Sequence, residues 1–129
     1  MILMAKYVDG FVLVVPKNKT KEYKKMAEEG RNIWMKCGAL SYFECIGDDL
    51  APKSMGGEKQ LGFKKLANVK PSETVWFSFV VYKSKKHRDE VNKKVMNEMS
   101  EKYKDVKDFI MPFDMKKMAQ GGFSVEVEG

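Results

Sequence analysis

The stretch "ETVWFSFVVYKS", Glu73 to Ser84, limits the fold more than any other part of this chain. Alternation puts Val75, Phe77, Phe79 and Val81 on one side of a strand and Trp76, Ser78, Val80 and Tyr82 on the other. Both faces are mostly apolar, so the strand must be covered on both sides. A second segment behaves alike. In "KYVDGFVLVVP", Tyr7, Asp9, Phe11, Leu13 and Val15 alternate with Val8, Gly10, Val12 and Val14, and Pro16 closes the run. "ALSYFECIGDD" gives a further strand, with Leu40, Tyr42, Glu44 and Ile46 opposite Ser41, Phe43 and Cys45.

Helices separate these strands. Tyr23, Met26, Ala27, Gly30, Trp34 and Cys37 recur at helical spacing, with Asn18 or Thr20 as cap and Gly38 as stop. A second helix, "KKHRDEVNKKVMNEMSEKY", is capped by Ser84 and carries the apolar line Val91, Val95 and Met99. Asp48 to Thr74 is polar and rich in lysine, with prolines at 52 and 71, and is expected to be an excursion with one helical turn near Phe63 to Ala67. The final "GGFSVEVE" alternates as an edge strand, entered through a turn at Gly121 and Gly122.

The order is β-α-β, a long loop, then β-α-β, which predicts a ferredoxin-like α+β domain: an antiparallel sheet with two helices on one face. A length of 129 residues fits a single domain, residues 1 to 129. Two helices cover one face of four strands only. The other face would leave a large apolar patch in water, and a second copy of the chain is the simplest cover. A homodimer is the expectation.

The net charge of +6 raises nucleic acid as a partner, but among the 24 basic residues only Arg31 and Arg88 are arginines, and 18 acids are interspersed. Base-reading proteins lean on arginine forks, and no zinc-finger, RNP or KH pattern is present. No specific nucleic-acid binding is expected. No run reaches the roughly 18 to 20 apolar residues of a membrane helix. The opening residues lack a signal-peptide pattern, with Met1 or Met4 as start, and Cys37 and Cys45 read as small buried hydrophobes in a reducing compartment. Together these predict a cytoplasmic protein that does not engage membranes.

Three ordered motifs, "YVDGFVLVVPKNK", "ETVWFSFVVYKSKKHRDEVNKKVM" and "MPFDMKKMAQGGF", resemble the YbaA-like family, domain of unknown function 1428. The resemblance spans nearly the whole chain. It implies a dimeric α+β barrel, in which two ferredoxin-like sheets face each other. That superfamily includes cofactor-independent monooxygenases, muconolactone-isomerase-like and YciI-like proteins, haem-degrading enzymes and pure binding modules. The resemblance supplies no activity and no catalytic residues for this chain. The stretch "KSMGGEKQLGFKKL" is longer than the family pattern.

Candidate site residues follow from chemistry alone. Asp9 is a carboxylate inside an apolar strand and must be paired, protonated or solvated; beside Gly10 it could equally mark a bulge. His87, the single histidine, falls on the apolar line of the second helix and is either a general base or a hydrogen-bonded boundary residue. Lys85 to Arg88 put positive charge at a helix N-terminus, suited to an anion or simply solvated. Asp114 lies in "MPFDMKKMAQGGF", either a connector or a structural lid at a pocket edge. His87, Asp114 and Asp9 are the catalytic candidates, and Tyr42, Trp76, Arg88 and Lys117 the ligand-binding ones. His87 and Asp114 are expected to share a cavity with Trp76 or Tyr42. Without metal-ligand spacing, P-loop, dinucleotide fingerprint or nucleophile elbow, no metal or cofactor is expected. Two functions remain: binding or cofactor-free conversion of a small organic molecule in a helix–sheet pocket, or a non-catalytic dimeric interaction module.

Overall fold

The computed structural model describes residues 5–129, so the choice between Met1 and Met4 as start lies outside the described residues. Four strands form one antiparallel sheet: β1 (Tyr7–Pro16), β2 (Ser41–Ile46), β5 (Glu73–Tyr82) and β6 (Ala119–Ser124), in the order β2-β5-β1-β6. Helix α1 (Thr20–Lys36) links β1 to β2, and α3 (Lys85–Lys102) follows β5. Each helix crosses over a strand that belongs to the other half, which interlocks the two β-α-β units. Between β2 and β5 lie the short strands β3 (Ser54–Met55) and β4 (Glu58–Lys59), then the single turn α2 (Phe63–Leu66).

The alternation read from the sequence decides which face the helices cover. Leu13, Val15, Trp76, Val80 and Tyr82 are buried beneath them in two core clusters. One cluster gathers Ile33, Cys37, Val91 and Val95 around Tyr82; the other gathers Tyr23, Ala27 and Phe113 around Trp76. The opposite face carries Phe43, Phe77 and Phe123, which are 49%, 44% and 62% exposed, so none of the described residues seals it. Phe43 stacks on Phe79 at 4.9 Å, and Phe77 tilts against the same ring at 5.6 Å.

Local chemistry sets the helix ends. Gly38 at φ 112° closes α1: its N–H donates to the Met35 carbonyl at 3.2 Å and the Ala39 N–H to Trp34 at 3.0 Å, the paired bonds of a left-handed glycine cap. The Ser84 hydroxyl accepts from the His87 N–H at 3.1 Å and starts α3. The start of α1 differs from expectation. A 3-10 turn, Lys17–Lys19, precedes it, and Thr20 Oγ1 donates backward to the Lys17 carbonyl rather than capping the helix.

Three further readings need correction. Gly121 and Gly122 sit inside β6, which begins at Ala119; they do not form a turn before it. At Gly122 a side chain would collide with Tyr7, whose ring carbon Cε2 lies 2.7 Å from where a Cβ would stand, so the glycine admits the Tyr7 ring. Cys45 is exposed on the uncovered sheet face rather than buried, although Cys37 is buried as expected. The excursion contains a two-residue hairpin as well as its helical turn, because Gly56 and Gly57 supply the two positive φ values, 60° and 85°, that a type I′ turn requires.

Candidate functional site

The sheet register builds the floor of a cavity. Glu44 pairs with Ser78, Ser78 with Phe11 and Phe11 with Gln120, so one row crosses all four strands on the helix-covered face. The adjacent row runs Tyr42, Val80, Asp9. These seven residues line a cavity of about 560 Å³ between sheet and helices. Helix α1 roofs it with Tyr23, Gly30 and Trp34, and α3 with Asn92, Val95 and Met99. After Tyr103 the chain folds along its side, contributing Phe109, Met111, Phe113, Met115 and Met118. Met96, Val106, Phe109 and Met115 are about half exposed or more and mark its mouth.

The polar centre is Glu44. Tyr23 Oη and Tyr42 Oη each donate to it at 2.8 Å, the first to Oε2 and the second to Oε1, and Ser78 Oγ also donates to Oε2. Burial, and then the Glu44 charge, push both phenols well above the ordinary tyrosine range, so they remain donors. Gly30 makes this arrangement fit: a Cβ there would lie 2.9 Å from Tyr42 Oη. A helix glycine that reads as a propensity defect is therefore a clearance for the Tyr42 hydroxyl.

A second network runs along the adjacent row. Asp9, 5% exposed, accepts from Arg88 Nη1 at 2.7 Å and from Asn92 Nδ2 at 3.5 Å. Asn92 accepts from Tyr82 Oη at 3.2 Å, and Tyr82 from Trp34 Nε1 at 3.2 Å. Asp9 is thus a paired buried carboxylate in regular strand register, with no bulge. Arg88 is held by Asp9 and Asp89 and lies over the Tyr7 ring at 4.8 Å. The hydrogen bond that Arg88 donates to Asp89, ahead of the one it donates to Asp9, raises its already high pKa.

Of the residues singled out from sequence, Asp9 and Tyr42 line the cavity and Arg88 backs Asp9 from outside it. The others lie elsewhere. His87 sits at the Tyr82 end of the sheet, where its Nδ1 accepts from the Lys83 N–H at 2.9 Å and its ring packs edge-on to Tyr82 at 6.0 Å. Asp114 is exposed and caps the 3-10 turn Met115–Lys117 by accepting from the Lys116 N–H at 2.9 Å. That turn lies at the opposite end of β5, because Lys117 Nζ reaches Glu73 at 3.0 Å and the Asn68 carbonyl at 3.2 Å. The expected meeting of His87 and Asp114 therefore fails: a ten-residue strand separates their ends. Trp76 is core, edge-on to Tyr23 at 4.8 Å.

Sequence reasoning missed Glu44, Ser78 and Gly30. The signal was present: Glu44 shares a face with Tyr42 and Ile46, an acid on the inward side of a strand, and Ser78 interrupts the inward face of the most apolar strand. "MPFDMKKMAQGGF" proves to be a cavity wall rather than a plain connector, through Met111, Phe113, Met115, Met118 and Gln120. Among the described residues no helix is long and apolar enough to cross a membrane.

The family described as "Protein of unknown function (DUF1428)" matches residues 6–115. The chain is 37% identical over 120 residues to the uncharacterized protein YbaA of Escherichia coli (strain K12), covering 92% of this chain and 94% of that protein. YbaA of Shigella flexneri matches with the same figures. Among solved structures, a dimeric ferredoxin-like protein from an uncultured marine organism aligns with a TM-score of 0.54 at 9% identity, over 97% of this chain and 99% of that one. At that identity the likeness speaks to fold alone, and it agrees with the sheet order found here. The chain belongs to the DUF1428 family and has a ferredoxin-like α+β fold.

Proposed function

We propose that this chain is a cytoplasmic homodimer that binds a small, largely apolar organic molecule in the cavity between its helices and its sheet, using its own side chains without a cofactor. One observation carries the reading. Methionines and aromatics from both helices and from the 103–118 segment converge on a cavity of about 560 Å³ whose floor holds two hydrogen-bonded carboxylates, Asp9 and Glu44. That combination of apolar walls and few fixed polar groups is what small-molecule sites use, and methionine adapts to irregular ligands. The dimer rests on the uncovered sheet face, where Phe43, Phe77 and Phe123 stand exposed beside Phe79. A second copy placed there would complete an α+β barrel. The cytoplasmic assignment rests on two free cysteines.

Fluorescence titration with the neutral probe N-phenyl-1-naphthylamine tests the cavity. The expected result is saturable brightening with one site per chain, abolished in Met99→Trp, which fills the cavity while leaving the thermal melt cooperative. Probe binding that survives Met99→Trp would place it on the sheet face and leave the cavity without a role. Sedimentation equilibrium tests the assembly: twice the 14.8 kDa chain mass is expected at low micromolar concentration.

A further inference from the structure

The charge of the cavity opposes the charge of the protein. The chain carries 24 lysines and arginines against 18 acids, yet among the described residues three carboxylates, Asp9, Glu29 and Glu44, line the cavity and no lysine, arginine or histidine does. Two of the three are already balanced. Asp9 is paired with Arg88 at 2.7 Å, and Glu29 faces Lys102 at 3.9 Å and accepts from Tyr103 Oη at 3.0 Å. Glu44 is different. Its three partners are neutral hydroxyls, and among the described residues no cationic side chain reaches ion-pairing distance of it. A carboxylate oxygen accepts two hydrogen bonds. Oε2 has two from Tyr23 and Ser78; Oε1 has one, from Tyr42, and so retains one acceptor position beside the cavity.

From this asymmetry we infer that the ligand is an amphipathic cation, an apolar body ending in a protonated amine, with the ammonium group donating to Glu44 Oε1. The inference rests on the cavity being the binding site, as proposed above. Neutral hydroxyls hold the half-buried carboxylate in place without cancelling its charge, so an arriving ammonium gains a charge-assisted hydrogen bond among largely apolar walls. An arriving carboxylate meets like charge from Glu44 and no cation to receive it. The rings of Trp34 and Tyr42, with centroids 6.0 Å apart, line the same cavity, and aromatic rings attract a positive group.

A chain-matched ligand series separates the two readings. Octylamine, octan-1-ol and octanoate share one apolar body and differ only in the head group, and octylamine is protonated at pH 7. Isothermal titration of the full-length protein is expected to rank amine above alcohol above carboxylate, with amine at least about tenfold tighter than carboxylate. Glu44→Gln keeps the acceptor shape and removes the charge, and should bring amine and alcohol within about threefold of each other. The ranking in the unaltered protein stands whether or not that variant folds. If alcohol and carboxylate bind as well as amine, the cationic ligand is refuted while the cavity remains a site. If none of the three binds, the reading of the cavity itself falls, and the inference with it.

Discussion

Asp9→Asn should weaken the fold by an amount the structure sets. Asp9 is 5% exposed, and the Arg88 side chain that neutralises it is 19% exposed. Removing one partner of a fully buried pair costs about 3 to 5 kcal/mol, mainly because the other charge is stranded. Arg88 is not fully stranded here, since Asp89 still holds its Nε at 2.7 Å, so the expected loss is about 2 to 3 kcal/mol. At about 2.1 cal/mol/K per residue, 129 residues give a transition entropy of about 0.27 kcal/mol/K, and Tm should fall by about 7 to 11 °C at fixed protein concentration. Differential scanning calorimetry measures this. Arg88→Met completes a double-mutant cycle, in which the double variant should recover about 1 to 2 kcal/mol relative to the sum of the single changes. A melt of Asp9→Asn within about 2 °C of the parent would mean the carboxylate is solvated, and the buried network from Trp34 to Arg88 would be wrong.

Four further outcomes follow from particular contacts. Gly30→Ala should gain helix propensity but displace the Tyr42 hydroxyl, so it should be stabilising only when combined with Tyr42→Phe; equal effects in both backgrounds, read by urea midpoints, would show no clash. Tyr23, Tyr42 and Tyr82 have pKa values raised by burial, so their protonated forms add stability that is complete below pH 10.0 and lost as pH rises above it. Absorbance at 295 nm should therefore show these three ionising together with alkaline unfolding, and a smooth rise for all five tyrosines before the far-UV signal changes would contradict it. Phe77→Asp should yield monomer in sedimentation by placing charge on the uncovered face, and a persistent dimer would put the interface elsewhere. Binding to duplex DNA should be weak, blind to sequence and steeply salt-dependent in filter assays; nanomolar sequence selectivity near physiological salt would refute that.

The architecture was legible because hydrophobic periodicity carries it. The two-faced strands at Tyr7–Pro16 and Glu73–Tyr82 and the glycine stop at Gly38 each act through local chemistry that a sequence displays. The cavity was only half legible. Tyr42 and Asp9 stood out as polar groups among apolar ones, but Glu44 acquires its meaning from the register that sets it beside Ser78 and from the helix that brings Tyr23 over it. Those are contacts between residues 21 and 34 positions apart, which periodicity does not encode. His87 misled for the complementary reason. Its place on the apolar line was read correctly, yet that end of the helix lies over Tyr82 and Gly38, away from the cavity. The start of the last strand differs from expectation because Gly121 and Gly122 signal a turn by propensity, whereas both lie inside β6 and the Tyr7 ring needs the space that Gly122 leaves.

The cavity as a binding site can be located directly by methyl NMR. Of the ten methionines, six, at positions 26, 96, 99, 111, 115 and 118, line the cavity, while Met35 and Met55 lie outside it. With [13C]methyl-labelled methionine, adding octylamine or octan-1-ol should move the six cavity methyl signals along one saturable curve and leave Met35 and Met55 in place. Absence of any saturable shift with either compound, or shifts centred on Met35 and Met55, would contradict the account.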